Sequence, residues 1–247
     1  MGEQGKSRKV ALVTGASRGI GAEIASRFAA DGWDLTISAR SPEPLRELAT
    51  RLTNTHGARV EVVTADAAVE EELMHLAAVH ATEYGRLDAL VLNAGMGQKG
   101  PISDLPTRRF DKLYQVNVRS AYVLLQSLLP TLRSTAELAG AAKVIAIASI
   151  TGVHPEPELA AYGATKAALI SLCETFNLEE SRRGVSASTI SPGYVNTDMS
   201  SWTAIPPEEM ISAADVATIA MAVTQLSRYA VLPGVVLSRP GTNLGRA

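Results

Sequence analysis

The sequence predicts an α/β fold: a doubly wound parallel sheet of about seven strands within a single domain. Short β-branched apolar runs alternate with longer helical patterns along the chain. The stretches "VALV", "ALVL" and "VIAI" are continuously apolar, as in strands covered on both faces. The 247 residues are enough for one large domain with a sizeable core. Right-handed crossovers then put helices on both faces of the sheet.

In chain order, "KVALVTG" predicts the first strand and "IGAEIASRFAADG" a helix ending at Gly32. "DLTISAR" and "EPLRELATRLTNTHG" are the next strand and helix, followed by "RVEVVTAD" and "VEEELMHLAAVHATEYG". "LDALVLNAG" is the fourth strand. A long helical stretch from about Arg108 to Leu132 leads to the fifth, "AKVIAIAS". Another helix spans about Glu158 to Arg183, and "GVSASTISPG" contains the sixth strand. "AADVATIAMAVTQLS" is a helix and "GVVLSRPG" the last strand. Residues 1–8 are expected to form a flexible N-terminal segment, and 9–247 the single domain.

Composition narrows the function classes. With 46% hydrophobic and 19% charged residues, the chain is globular rather than disordered. The net charge is -2 and the only basic block is "KSRK", so no nucleic-acid partner is expected. A lone cysteine, Cys173, rules out a disulfide framework within the chain and suits a reducing compartment. No apolar run reaches the ~18 residues of a membrane helix, and no apolar leader opens the chain. The expected location is cytoplasmic, with no membrane partner. No His, Cys and Asp cluster has metal-ligand spacing, so no metal is expected. His56, His75 and His80 fall on or just after helices and are expected to be solvated, whereas His154 follows the fifth strand near the expected substrate pocket.

Ligands of doubly wound sheets bind at the carboxyl ends of the strands. "TGASRGIG" lies there, between the first strand and its helix. Gly15, Gly19 and Gly21 allow close backbone approach, and the helix N-terminus offers free N–H groups and a positive dipole end to a phosphate.

This stretch resembles the T-G-x-x-x-G-x-G motif of short-chain dehydrogenases/reductases, and the likeness extends from about Lys9 to Pro240. The resemblance implies a Rossmann-type fold that transfers hydride between a nicotinamide and a carbonyl or alcohol. "YGATK" sets Tyr162 and Lys166 one helical turn apart, and Ser149 stands thirteen residues before Tyr162. In the family's scheme Tyr162 is the general acid or base and Ser149 orients the substrate. Lys166 makes the phenol more acidic and holds the ribose, and Asn117 in "YQVNVRS" feeds a proton relay from a kinked helix.

Cofactor contacts are expected at Gly15, Ser17, Arg18, Gly19, Ile20 and Gly21 of the glycine turn. Further ones fall at Arg40, Asp66, Asn93, Ala94, Gly95, Tyr162 and Lys166, and at Pro192, Gly193, Val195 and Thr197 of "SPGYVNT". The second strand ends at Ala39 and Arg40, where an NAD site carries an acid. Arg18 and Arg40, with no carboxylate at the end of the second strand, suit a 2′-phosphate, and similar placements in the family imply NADP(H). Asp66 is expected near the adenine, the alternative being an N-cap for the next helix.

A short lid is expected near 198–212, with Tyr194, Met199, Trp202 and His154 as substrate contacts. The leading expectation is an NADP(H)-dependent ketone or aldehyde reductase. A 3-oxoacyl-thioester reductase of the same family and a non-catalytic NADP(H) sensor or scaffold are the alternatives. Leu159, Leu169, Ile170, Leu172, Cys173 and Phe176 give one helix more apolar surface than a single sheet covers, which suggests a homodimer or homotetramer.

Overall fold

In the computed structural model, residues 8–241 are described. Residues 1–7, most of the expected N-terminal segment, lie outside them. Arg8 is ion-paired with Asp34 at 3.2 Å and donates to the Gly57 carbonyl.

Seven parallel strands form one sheet in the order β3-β2-β1-β4-β5-β6-β7. They are β1 Val10–Thr14, β2 Asp34–Ala39, β3 Val60–Thr64, β4 Ala89–Leu92, β5 Ala142–Ile147, β6 Val185–Pro192 and β7 Gly234–Leu237. The central strands β1, β4, β5 and β6 are buried along their whole length; β1 up to Thr14 and all of β4 are apolar, while β5 also buries Lys143 and β6 buries Ser186, Ser188, Thr189 and Ser191. The helices are α1 Gly19–Ala30, α2 Pro42–His56, α3 Glu70–Tyr84, α4 Thr107–Tyr114, α5 Ser120–Ala139, α6 Ala160–Glu180 and α7 Ala213–Thr224. Two apolar layers result. One holds Phe28, Ile37 and Val216 between the sheet and α1, α2 and α7; the other holds Leu90, Leu124 and Leu169 between the sheet and α3, α5 and α6. No helix of the described residues is long and apolar enough to cross a membrane.

The order reverses between β1 and β4, so the carboxyl ends of these strands diverge and leave a crevice. The helical stretch expected from Arg108 to Leu132 is interrupted. Gln115–Arg119 form a π turn between α4 and α5, and α5 continues past Pro130 to Ala139.

The apolar residues of α6 are covered in part within the chain, with Ile170 half-buried and Leu178 exposed. Leu169, Cys173 and Phe176 are buried in the chain's own second layer with Leu172 against it, and Leu159 is buried as well. The helix meets α4, the Gln115–Arg119 turn and the Ile150–Gly152 turn besides the sheet, so several of its faces have neighbours within the chain.

His80 is not solvated. It is fully buried, with Nδ1 2.7 Å from the Thr36 hydroxyl and Nε2 3.1 Å from the Arg86 carbonyl oxygen. Leu73, Leu76, Ala77 and His80 share the buried face of α3 at helical spacing. Burial lowers the His80 pKa to about 4, opposed in part by the Arg86 carbonyl. The unfolded chain therefore binds one more proton than the folded one between that value and ~6.5. This stability is fully present above ~6.5 and is lost as pH falls toward 4, on the order of 3 kcal/mol in all. Urea midpoints measured at pH 7 and pH 4.5 should differ less in His80→Gln than in the parent; equal differences would count against this account.

Candidate active site

The glycine turn is fastened to its neighbours before any ligand arrives. Gly15 takes a φ of +63°, which a side chain rarely tolerates. The Asn93 amide nitrogen donates to the Thr14 and Gly15 carbonyls, both at 3.0 Å. The Thr14 hydroxyl accepts from the backbone N–H of Asn93 and of Ala94, and donates to the Val91 carbonyl at 3.1 Å. Asn93 thus ties the end of β4 to the turn after β1, and its side chain is spent on that task. Thr14 was not among the expected residues, although it directly precedes Gly15 in the motif.

At Gly21 an added Cβ would lie 2.5 Å from Asn93 Nδ2 and closer still to the Gly15 carbonyl oxygen. The α1 helix has no side-chain N-cap at Arg18, so its first N–H groups have no intrahelical or capping partner. A close-packed glycine turn with an uncapped helix end suits a phosphate group. Arg40 is exposed at the carboxyl end of β2. Asp66 follows β3 and does not cap α3, whose N-cap is Val69; its carboxylate accepts from the Ala68 N–H at 2.8 Å and shapes the loop.

A cleft enclosing about 820 Å³, its open mouth included, begins at Ile20, Asn93 and Gly95. That is within the range of sites that bury a small molecule. Ser149, Tyr162 and Lys166 line it, as do Pro192, Gly193, Val195 and Thr197. Ser149 follows β5, and its hydroxyl accepts from the Thr151 hydroxyl at 2.9 Å and the Thr151 N–H at 3.2 Å. It also faces the Tyr162 phenol and favours its ionised form. The turn Ile150–Gly152 packs so tightly on α6 that a Cβ at Gly152 would lie 2.8 Å from the Lys166 backbone, and one at Gly163 2.8 Å from the Thr151 carbonyl oxygen. These two glycines let Ser149 reach Tyr162.

Lys166 is 4% exposed, donates to the Ile147 carbonyl at 2.8 Å, and stands 5.7 Å from the Tyr162 ring centre. Burial pulls the ammonium down to about 8. Burial also pushes the Tyr162 phenol up to about 12, against the opposing effect of Ser149. In the protein alone desolvation is the larger influence and the phenol lies high; the acidifying role expected of Lys166 together with the oxidised nicotinamide belongs to the cofactor-bound protein.

Asn117 lies in the π turn, a feature frequent at functional sites. It accepts from the Met96 N–H at 2.9 Å and donates to the Met96 carbonyl and the Thr165 hydroxyl, both at 3.0 Å. It therefore joins the loop after β4 to α6. A Cβ on Gly95 would lie 3.4 Å from both Asn117 Oδ1 and Lys166 Nζ, so glycine keeps the space between them open.

The outer half of the cleft is lined by Gln98, Lys99, Glu156, Tyr194, Met199 and Trp202. His154 is not among the lining residues; its N–H bonds the Ile150 carbonyl. Glu156 went unnoticed in the sequence, where it is one of two acids in "VHPEPE". It accepts a 2.7 Å hydrogen bond from Tyr194, which packs edge-on against Trp202 at 5.5 Å. Burial and this carboxylate both raise the Tyr194 pKa. The lid is closed at its base by a bridge between Val195 and Ile211, and α7 follows behind a Ser212–Asp215 capping box.

Comparison with known proteins agrees with this layout. The chain is 36% identical over 214 residues to a rhamnolipids biosynthesis 3-oxoacyl-[acyl-carrier-protein] reductase of Pseudomonas aeruginosa, covering 86% of this chain and 82% of the relative. It is 32% identical over 203 residues to a 2-(R)-hydroxypropyl-CoM dehydrogenase of Xanthobacter autotrophicus, covering 81% of this chain and 80% of the relative. Among solved structures it resembles an alcohol dehydrogenase of the archaeon Thermococcus sibiricus complexed with 5-hydroxy-NADP. The TM-score is 0.87 at 27% identity, with 95% of this chain and 97% of that one covered. Residues 9–204 match the family described as short chain dehydrogenase. With that match running from the first residues of β1 into the lid, the chain belongs to the short chain dehydrogenase family.

Proposed function

We propose that the protein is an NADP(H)-dependent reductase of ketones or aldehydes. The observation that carries the reading is the meeting of Ser149, Tyr162 and Lys166 in one cleft beside an uncapped glycine turn. The bound nicotinamide supplies or accepts the hydride. The residues of the chain do the rest.

Tyr162 stays protonated at neutral pH because burial holds its pKa near 12, so it can donate to a carbonyl oxygen as hydride arrives at the carbon. The Ser149 oxygen accepts twice from Thr151, which leaves its own proton free for the Tyr162 oxygen or the substrate oxygen. Lys166 has one N–H committed to Ile147, and its other two are available to the phenol and to a ribose hydroxyl. A positive charge placed beside Tyr162 by the oxidised cofactor would lower the phenol and fit it for the reverse direction. Asn117 and Lys166, with the Gly95 gap between them, offer a route for the replacement proton. Gly15, Gly19 and Gly21 with Ser17 and Ile20 would hold the pyrophosphate, and Arg18 and Arg40 the 2′-phosphate. Asp66 and Ala94 would flank the adenosine, and Thr197 the carboxamide.

The test is NADPH oxidation against a panel of ketones, aldehydes and quinones that includes one 3-oxoacyl thioester. NADPH-dependent reduction of a simple carbonyl, faster than with NADH, is expected. Turnover confined to the thioester would favour the acyl reductase suggested by the Pseudomonas relative. NADPH binding with no turnover of any kind would favour a sensor.

A further inference from the structure

We propose that Asp198 sets cofactor selectivity by competing with the 2′-phosphate of NADP(H) for Arg18, an inference that rests on the NADP(H) reading above. Arg18 closes the glycine turn, and Asp198 opens the first turn of the lid, Asp198–Ser200. Although 180 residues apart in the chain, Arg18 Nη1 and Asp198 Oδ2 meet at 2.6 Å. The contact has a fixed frame on both sides. Thr197 Cγ2 lies 3.1 Å from where a Cβ on Gly19 would stand, so the base of the lid rests on the turn. The Val195–Ile211 bridge holds that base from behind.

The guanidinium expected to receive a phosphate is therefore already engaged by a carboxylate of the same chain. Both side chains are highly exposed, at 73% and 72%, so the pair is weak. Exposed ion pairs of this kind shift an equilibrium by up to about fivefold. A phosphate with nearly two charges and bidentate acceptors outcompetes it, but the displaced carboxylate still lowers the net affinity. An NAD(H) molecule has no group that needs this guanidinium, and it meets Asp198 only as a charge near its pyrophosphate. Asp198 thus penalises the phosphorylated cofactor more than the unphosphorylated one. The same exchange frees the first lid turn, which carries Met199 of the cleft wall.

Dissociation constants for NADPH and NADH, read from nicotinamide fluorescence without substrate, test this in the full-length protein, Asp198→Asn, Arg18→Ala and the double variant. Asp198→Asn should tighten NADPH about two- to fivefold and NADH less. In the Arg18→Ala background it should change the NADPH to NADH ratio little. An unchanged ratio in Asp198→Asn, or an equal gain with and without Arg18, overturns the competition. Loss of NADPH preference in Arg18→Ala, alongside an unchanged ratio in Asp198→Asn, would leave the NADP(H) reading standing while the competition fails. A parent protein that prefers NADH overturns both.

Discussion

Tyr162→Phe is expected to lower NADPH-dependent carbonyl reduction by roughly 10²–10⁴-fold, the usual worth of a positioned general acid. The substitution removes one oxygen and little else. The ring remains, and with it the 5.7 Å approach of the Lys166 ammonium to its face. Ser149 stays oriented by its two bonds from Thr151. Cofactor affinity should therefore be close to that of the parent, and the loss should lie in kcat. Stopped-flow traces at saturating NADPH separate the two. A variant that turns over at the parental rate would remove Tyr162 from the chemistry, whatever the cofactor constant.

Gly21→Ala is expected to destabilise the protein, the reverse of the usual effect of replacing glycine in a helix. Alanine ordinarily gains about 0.5–1 kcal/mol there. Here the new methyl would stand 2.5 Å from Asn93 Nδ2 and nearer still to the Gly15 carbonyl oxygen. Neither is the loose end of a flexible side chain, because Asn93 is held by two bonds into the same turn. Overpacking of this kind costs about 1–3 kcal/mol, and at about 2–4 °C per kcal/mol for a chain of this size the Tm should fall by several degrees. The distortion opens the clamp between β1 and β4, so NADPH affinity should fall with it. Thermal melts with and without NADPH measure both effects, and an unchanged or raised Tm would show that the turn has room to spare.

Some features were legible because the signal is local. Strands covered on both faces are mostly apolar, and β1 and β4 read that way, whereas β6 is buried despite Ser186, Ser188, Thr189 and Ser191. The glycine turn was legible because its residues are contiguous. His80 had a usable signal that was passed over: it continues the spacing of Leu73, Leu76 and Ala77 on the buried face of α3. The breadth of apolar surface on α6 is harder to read. It is served in part by α4, the Gln115–Arg119 turn, the Ile150–Gly152 turn and the sheet, and counting apolar positions cannot tell such neighbours from a second chain.

The sequence by itself determined the strand and helix alternation, the glycine turn after β1, and the residue types offered at the carboxyl ends of the strands. These follow from hydrophobic periodicity and from the backbone needs of a phosphate turn, both written in consecutive residues. Only the tertiary structure decided how those residues act on one another. It spent the Asn93 side chain on the glycine turn, placed Asn117 between Met96 and Thr165, and buried the Tyr162 phenol so that its pKa lies high in the protein alone. It also set Asp198 against Arg18. Each of these outcomes depends on burial or on contact between segments distant in the chain, and desolvation and ion pairing are properties of that packing rather than of any single stretch of residues.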